Sequence, residues 1–202
     1  MSALNKAKPK LLLTILSCIL VVSCANVGTA PSSIVIANGQ LFNIVFPELP
    51  NGVLTQSLVA HHANNKHELL IHIEISPTQI NFVGLSPSGL DLFTIHWPKQ
   101  GDIQYSKRPF VPDDLRPEFM LADFLLTFSN QSTLQKQLPT LHIKEQADGH
   151  GKIRSFNQGQ QGLIIIEYDS LQQWPQQVHF DHIQRGYQLT INTLEWEAHD
   201  SN

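Results

Sequence analysis

The feature that most constrains this chain is a series of short runs in which apolar and polar residues alternate. The clearest run extends from Glu68 to Ser76 and has branched apolar residues at every second position, with His72 and Glu74 between them. Successive side chains of an extended strand point to opposite faces. The pattern therefore predicts strands with one apolar face and one wet face, as in an antiparallel sheet.

Eleven such runs are separated by turn-forming segments rich in Pro, Gly, Asn and Ser, which predicts a strand meander in one domain. Between the sixth and seventh runs, residues 119–138 have apolar residues at roughly helical spacing, with an interruption at Ser129-Asn130. This central segment predicts one helix or two short ones packed against the sheet. The predicted strands cover residues 41–46, 53–61, 68–76, 78–85, 90–97, 102–106, 141–146, 152–157, 163–168, 178–183 and 187–194.

The first residues of the chain predict a lipoprotein signal sequence. Three lysines precede an apolar run, 11–22, that is shorter than the roughly 20 residues needed to span a bilayer. Branched apolar residues and a small residue then precede Cys24, which resembles a bacterial lipobox. We expect residues 1–23 to be removed, residues 24–33 to form a lipidated tether, and residues 34–198 to fold. An ordinary secretory signal with a chance cysteine is the alternative.

Charge and cysteine content exclude several classes of function. Removal of the signal segment would leave ten basic against seventeen acidic side chains, which argues against nucleic acid as a partner. The chain's other cysteine, Cys18, lies in the removed segment, so no internal disulfide and no cysteine-based metal site is expected. Ala25 follows the lipobox cysteine and does not resemble the aspartate of inner-membrane retention signals. We therefore expect attachment to the periplasmic face of the outer membrane.

The order of these segments resembles the LolB-like outer-membrane lipoproteins, which share the LolA/LolB fold of the lipoprotein-localisation factors. The resemblance rests on the lipobox, the meander, the helix containing Asp123-Phe124-Leu125-Leu126, a hairpin at 152–168, and a closing segment from Trp174-Pro175 to Trp196. Residues 40–197 also resemble an uncharacterised lipoprotein family found beside aryl-polyene biosynthesis genes. The resemblance implies a curved, unclosed half-barrel of about eleven antiparallel strands with a central helical plug and a cavity for acyl chains.

One departure from the LolB-like pattern concerns the membrane. In that family a protruding loop carries an exposed leucine that enters the bilayer, whereas the corresponding loop here, 85–90, has Ser88 at that place. The resemblance therefore predicts no membrane insertion by this residue.

The resemblance implies that the alternating apolar residues line a ligand cavity. A filled core without a cavity would use the same residues, so both interpretations stay open. The residues expected to line the cavity are Leu69, Ile71, Ile73, Ile80, Phe82, Phe93, Ile95, Phe124, Phe128, Ile164, Ile166, Val178, Phe180, Leu189 and Ile191.

Histidines and carboxylates offer little support for catalysis or metal binding. His179 and His182 are three residues apart, which places them on opposite faces of a strand. No nucleophile elbow, zinc-protease motif or phosphate-binding loop is present. We expect a non-enzymatic lipoprotein without cofactor or metal that binds an acyl or polyene-lipid ligand and assists its transfer to the outer membrane. A periplasmic carrier or an envelope transport complex would be its partner. A structural lipoprotein that scaffolds an envelope assembly is the alternative.

Overall fold

The structure is a computed structural model that describes residues 26–111 and 115–199. The expected signal segment and the expected lipid-bearing Cys24 lie outside these described residues. The strands are β1 (Asn26–Thr29), β2 (Ser33–Val35), β3 (Leu41–Asn43), β4 (Gly52–His62), β5 (Asn65–Ile75), β6 (Gln79–Leu85), β7 (Asp91–Pro98), β8 (Gln104–Lys107), β9 (His142–Ala147), β10 (Lys152–Gln158), β11 (Gln161–Tyr168), β12 (Gln177–His182) and β13 (Tyr187–Ala198). The helices are α1 (Pro117–Phe128) and α2 (Gln131–Gln137).

Eleven strands form one antiparallel sheet in the order β1-β8-β7-β6-β5-β4-β13-β12-β11-β10-β9. Two five-stranded meanders, β4 to β8 and β9 to β13, are joined where β4 pairs with β13, from Tyr187 opposite His62 to Ala198 opposite Gly52. Because β1 and β9 are the two edges and do not pair with each other, the sheet is unclosed. The predicted mainly β fold with one open antiparallel sheet is confirmed.

The strand ends form two rims. We call one of them the β1 rim: it contains the start of β1, the end of β8, and the turns joining β4 to β5, β6 to β7, β10 to β11 and β12 to β13. The opposite rim contains the turn from β5 to β6 and the long connection from β11 to β12.

The first part of the described chain differs from the expected tether. Asn26–Thr29 pairs with β8, so the sheet begins eight residues before Ile34, where the folded domain was expected to start. Strand β1 is therefore the eleventh member of the sheet, whereas β3 pairs with β2 in a separate hairpin. An edge strand of this length is held by backbone hydrogen bonds to one neighbour, so its side chains need not alternate and give no sequence signal.

The central segment forms two helices, the second of the two arrangements that the sequence left open, with the break at Ser129-Asn130. Helix α1 begins after Arg116 without a side-chain cap, and α2 is capped by Asn130, whose side chain accepts a bond from the Thr133 backbone N–H.

Helix α2 lies along the free edge of the sheet. The side-chain amide of Gln131 donates to the Ile143 carbonyl at 2.8 Å, and that of Gln135 donates to the Leu141 carbonyl at 2.8 Å. The Gln135 side-chain oxygen also accepts from the Ile143 N–H at 3.3 Å. Two glutamines of α2 thus satisfy backbone groups at the start of β9 that no neighbouring strand pairs with.

Candidate functional site: the concave face and its plug helix

The fifteen residues predicted to line a cavity all lie in one hydrophobic core, and none of them is more than 9% exposed. Thirteen come from strands, and Phe124 and Phe128 come from α1. The strand residues occupy alternate positions, as Ile71 and Ile73 do in β5, so they share one face of the sheet. The structure therefore brings the whole predicted set together.

Helix α1 lies within this core, with nine of its twelve residues buried. Its aromatic residues belong to a continuous series of ring contacts. Phe82 contacts Phe124 with ring centroids 5.2 Å apart, Phe124 contacts Phe128 at 5.2 Å, and Phe128 contacts Trp174 at 5.1 Å. Trp174 in turn contacts Trp196 of β13 at 5.2 Å. The helix thus fills the place where an acyl ligand was expected.

The C-terminal end of α1 is held by a buried arginine. Arg154 of β10 is 2% exposed and donates to the Leu126, Thr127 and Ser129 carbonyls, the last at 2.8 Å. Its guanidinium also pairs with Glu145 of β9, at 2.6 Å. The last carbonyls of a helix have no partner within the helix and attract a cation. Arg154 therefore fixes this end of α1 to the sheet.

The middle of α1 is held by a partly buried carboxylate. The hydroxyl of Tyr187, at the start of β13, lies 2.7 and 2.8 Å from the two carboxylate oxygens of Asp123. Burial raises the pKa of Asp123 from 3.8 to about 7, although the bond from Tyr187 and the charge of Arg185 both lower it. Burial and the charge of Asp123 also raise the pKa of Tyr187, which therefore donates at neutral pH.

A buried histidine adjoins this pair. The ring of His182 lies 5.1 Å from the ring of Tyr187, and the residue is 1% exposed. Among the described residues, neither ring nitrogen of His182 has a hydrogen-bond partner. Burial and the charge of Arg185 lower the pKa of His182 from 6.5 to about 4. The Ile36 backbone raises this pKa, but by less than burial lowers it. His182 is therefore neutral at neutral pH.

Two concavities in the described residues lie away from α1. One, of about 320 Å³, lies across β11, β12, β13 and β4, and the other, of about 130 Å³, lies between β7 and β8. Of the fifteen predicted residues, only Phe93, Phe180 and Leu189 border either of them. The burial of the fifteen residues shows that the concave face is packed, by α1 and by the β2–β3 hairpin.

The remaining histidines and carboxylates do not converge. His179 is exposed and contacts Gln177 and Thr190, while His182 is buried, so the two lie on opposite faces as their spacing predicts. Within residues 26–111 and 115–199, no three His, Cys, Asp or Glu side chains are close enough to hold a metal ion.

The model of one protein family matches residues 53–195 of the chain. The chain belongs to the DUF3261 family. Its members are described as proteins of unknown function, and the match extends from β4 to β13. No curated protein matches the chain.

Solved structures are also similar to this DUF3261 protein. One is a domain named as an outer membrane lipoprotein-sorting protein, from Vibrio parahaemolyticus: it is 11% identical, with a TM-score of 0.34, and the match covers 76% of this chain and 87% of that one. Another is a DUF1329 family protein from Desulfovibrio piger, 9% identical with a TM-score of 0.41, for which the match covers 74% and 85%. These values are low, and the fold described above rests on the strand pairing itself. In the described part of the chain, no helix has the length and apolar content needed to cross a bilayer.

Sequence reasoning missed the polar attachments of α1 in this DUF3261 protein. Asp123 was part of the Leu-rich helical motif, but nothing marked it as buried, and Arg154 and Tyr187 stood in ordinary strand patterns. One signal was available. Asp123 is the one charged residue from Phe119 to Phe128, in a helix that is otherwise mostly apolar, where an acid needs a partner.

Proposed function

We propose that this protein is a non-enzymatic lipoprotein, anchored through Cys24 to the periplasmic face of the outer membrane, that holds an acyl or polyene-lipid ligand on the concave face of its half-barrel. The ligand would take the place of α1 and pass from there to the membrane. A periplasmic carrier or an envelope transport complex would deliver it.

The observation that carries this proposal is that α1 and the small β2–β3 hairpin, and not a second extended sheet, cover the concave face. A second sheet would make a permanent sandwich core. The N-terminus of α1 lacks a side-chain cap, whereas Tyr187 holds its middle and Arg154 holds its C-terminal end, so we expect displacement of the helix to begin at its N-terminus. Displacing it would expose an apolar face on which each buried CH₂ group of a ligand contributes about 0.8 kcal/mol.

The alternative is a scaffold with a permanently filled core. It is favoured by one observation: the fifteen residues expected to line a cavity are packed, and the concavities lie elsewhere. The two functions differ in whether α1 ever leaves the concave face.

Native mass spectrometry with organic extraction tests the proposal. The full chain is expressed in a bacterium that makes aryl polyenes, and the purified protein is analysed beside two variants of adjacent β11 residues. Ile166→Gln changes a fully buried residue on the concave face, and Ile165→Gln changes a half-buried residue on the outer face. We expect one acyl or polyene-lipid species per wild-type and Ile165→Gln molecule, and its loss from Ile166→Gln.

Thermal unfolding establishes that both variants are folded before their ligand content is compared. A folded wild-type protein that is empty, and that also fails to take up a fluorescent fatty acid, would overturn the carrier proposal in favour of the scaffold.

A further inference from the structure

Exposed apolar side chains concentrate on one rim of the sheet. Single exposed apolar residues are ordinary on a protein surface, so their grouping is the informative property. Nine large apolar side chains are exposed among the described residues, and five of them lie at or beside the β1 rim. These five are Val35, Leu41, Leu90, Phe110 and Ile183. Val35 and Leu41 belong to the β2–β3 hairpin, which lies beside the β12–β13 turn because Arg185 donates to the Val35 carbonyl.

Ordered turns present Leu90 and Phe110, which are 53% and 60% exposed. Ser86 closes the turn between β6 and β7, since its N–H donates to the Leu90 carbonyl at 2.8 Å and its hydroxyl accepts from the Leu90 N–H at 3.0 Å. The Val111 N–H donates to the Arg108 carbonyl at 3.0 Å, which places Phe110 within a second turn.

These two turns are adjacent. The Arg108 N–H donates to the Leu92 carbonyl at 2.9 Å, and the Arg108 guanidinium pairs with Asp91 at 2.8 Å. These two contacts therefore hold together the two turns that carry Leu90 and Phe110. The ion pair between them carries no net charge, but its burial in an apolar medium would be costly, so we expect it to stay at the level of the lipid headgroups.

The start of β1 fixes where a lipid on Cys24 would be. Asn26 pairs with Lys107, the last residue of β8 and three residues before Phe110. Cys24 precedes Asn26 by two residues, so their Cα atoms are at most about 8 Å apart. The absence of a long tether leaves the half-barrel little freedom to turn this corner away from the bilayer.

We infer that the β1 rim faces the membrane and that Leu90 and Phe110 enter the boundary between lipid headgroups and acyl chains. This inference rests on the proposed lipidation of Cys24 but not on ligand binding. It assigns to Leu90 and Phe110 a membrane contact that the serine in the same loop, Ser88, does not supply.

Depth-dependent fluorescence quenching tests this inference on the full, lipidated chain in phosphatidylethanolamine and phosphatidylglycerol vesicles. Mass spectrometry first establishes the lipid on Cys24, whose sulfur is then a thioether that thiol labels do not modify. A bimane label is placed at Leu90→Cys or Phe110→Cys. The matched control is Leu171→Cys, which is 63% exposed in the connection on the opposite rim.

Lipids carrying a doxyl group near the headgroup should reduce the fluorescence at positions 90 and 110 by about two-fold or more, with no change at position 171. Equal quenching at all three positions, or none at 90 and 110 in a lipidated protein, would overturn the inference and leave ligand binding untouched. A chain without lipid on Cys24 would overturn the anchor and this inference together.

Discussion

The Asp123→Asn substitution should stabilise the protein relative to wild type, and this stabilisation should be larger at pH 8 than at pH 5. Asp123 is partly buried in the middle of α1, and its pKa in the folded state is about 7, against 3.8 as its ordinary value. Asparagine keeps an oxygen that can accept the Tyr187 hydroxyl, but it carries no charge to bury. The substitution therefore removes the cost of ionisation and retains the hydrogen bond.

The sign follows from proton linkage. Between pH 4 and 7 the folded wild-type protein binds more protons at Asp123 than the unfolded chain does, so its stability falls as pH rises. The full shift corresponds to about 4 kcal/mol, of which about 2–3 kcal/mol is lost between pH 5 and pH 8. The stability of Asp123→Asn relative to wild type should increase by that amount over this interval.

Urea unfolding of both proteins at pH 5 and pH 8 measures the effect. The low pKa of His182 gives the opposite trend, because stability falls as pH drops from 6.5 towards 4 and the unfolded chain takes up a proton. This contribution is common to both proteins and cancels in their difference. A difference in unfolding free energy that is the same at both pH values would refute the reasoning.

Two further predictions concern packing and are checked by urea unfolding at neutral pH. Arg154→Met should lower the free energy of unfolding by about 3–5 kcal/mol, because it leaves the end of α1 without its donor and Glu145 with only the more distant Lys152, at 3.7 Å; a loss below about 1 kcal/mol would contradict this role. Gly84→Ala should cost about 1–3 kcal/mol, since its new Cβ would lie 2.1 Å from the Phe93 ring. Gly162→Ala is the control, because its nearest neighbour is 3.6 Å away and its effect should be within about 0.5 kcal/mol.

The sheet could be predicted because alternation records burial directly. Ile71 and Ile73 are buried and His72 between them is exposed, as the pattern required. The helical break at Ser129-Asn130 was visible for a similar reason, since apolar spacing stops there and Asn130 caps the next helix. Both features depend on residues that are close together in the sequence, so the sequence alone is enough to predict them.

The polar interior could not be predicted, because it depends on which strands meet. Asp123 and Tyr187 are 64 residues apart in sequence, and only the position of α1 against β13 brings them together. Arg154 contacts the end of α1 for the same reason, across 25 residues or more. Whether the concave face opens for a ligand is likewise a property of α1 and not of any residue pattern.

The glutamines of α2 have a consequence for self-association. An open sheet offers its free edge as a template on which a strand of another chain can add. Here Gln131 and Gln135 already occupy the backbone groups of Leu141 and Ile143, so an incoming strand would have to displace α2 first. The β9 edge is thereby closed to strand addition, which leaves the β1 edge as the place where the sheets of two copies could join.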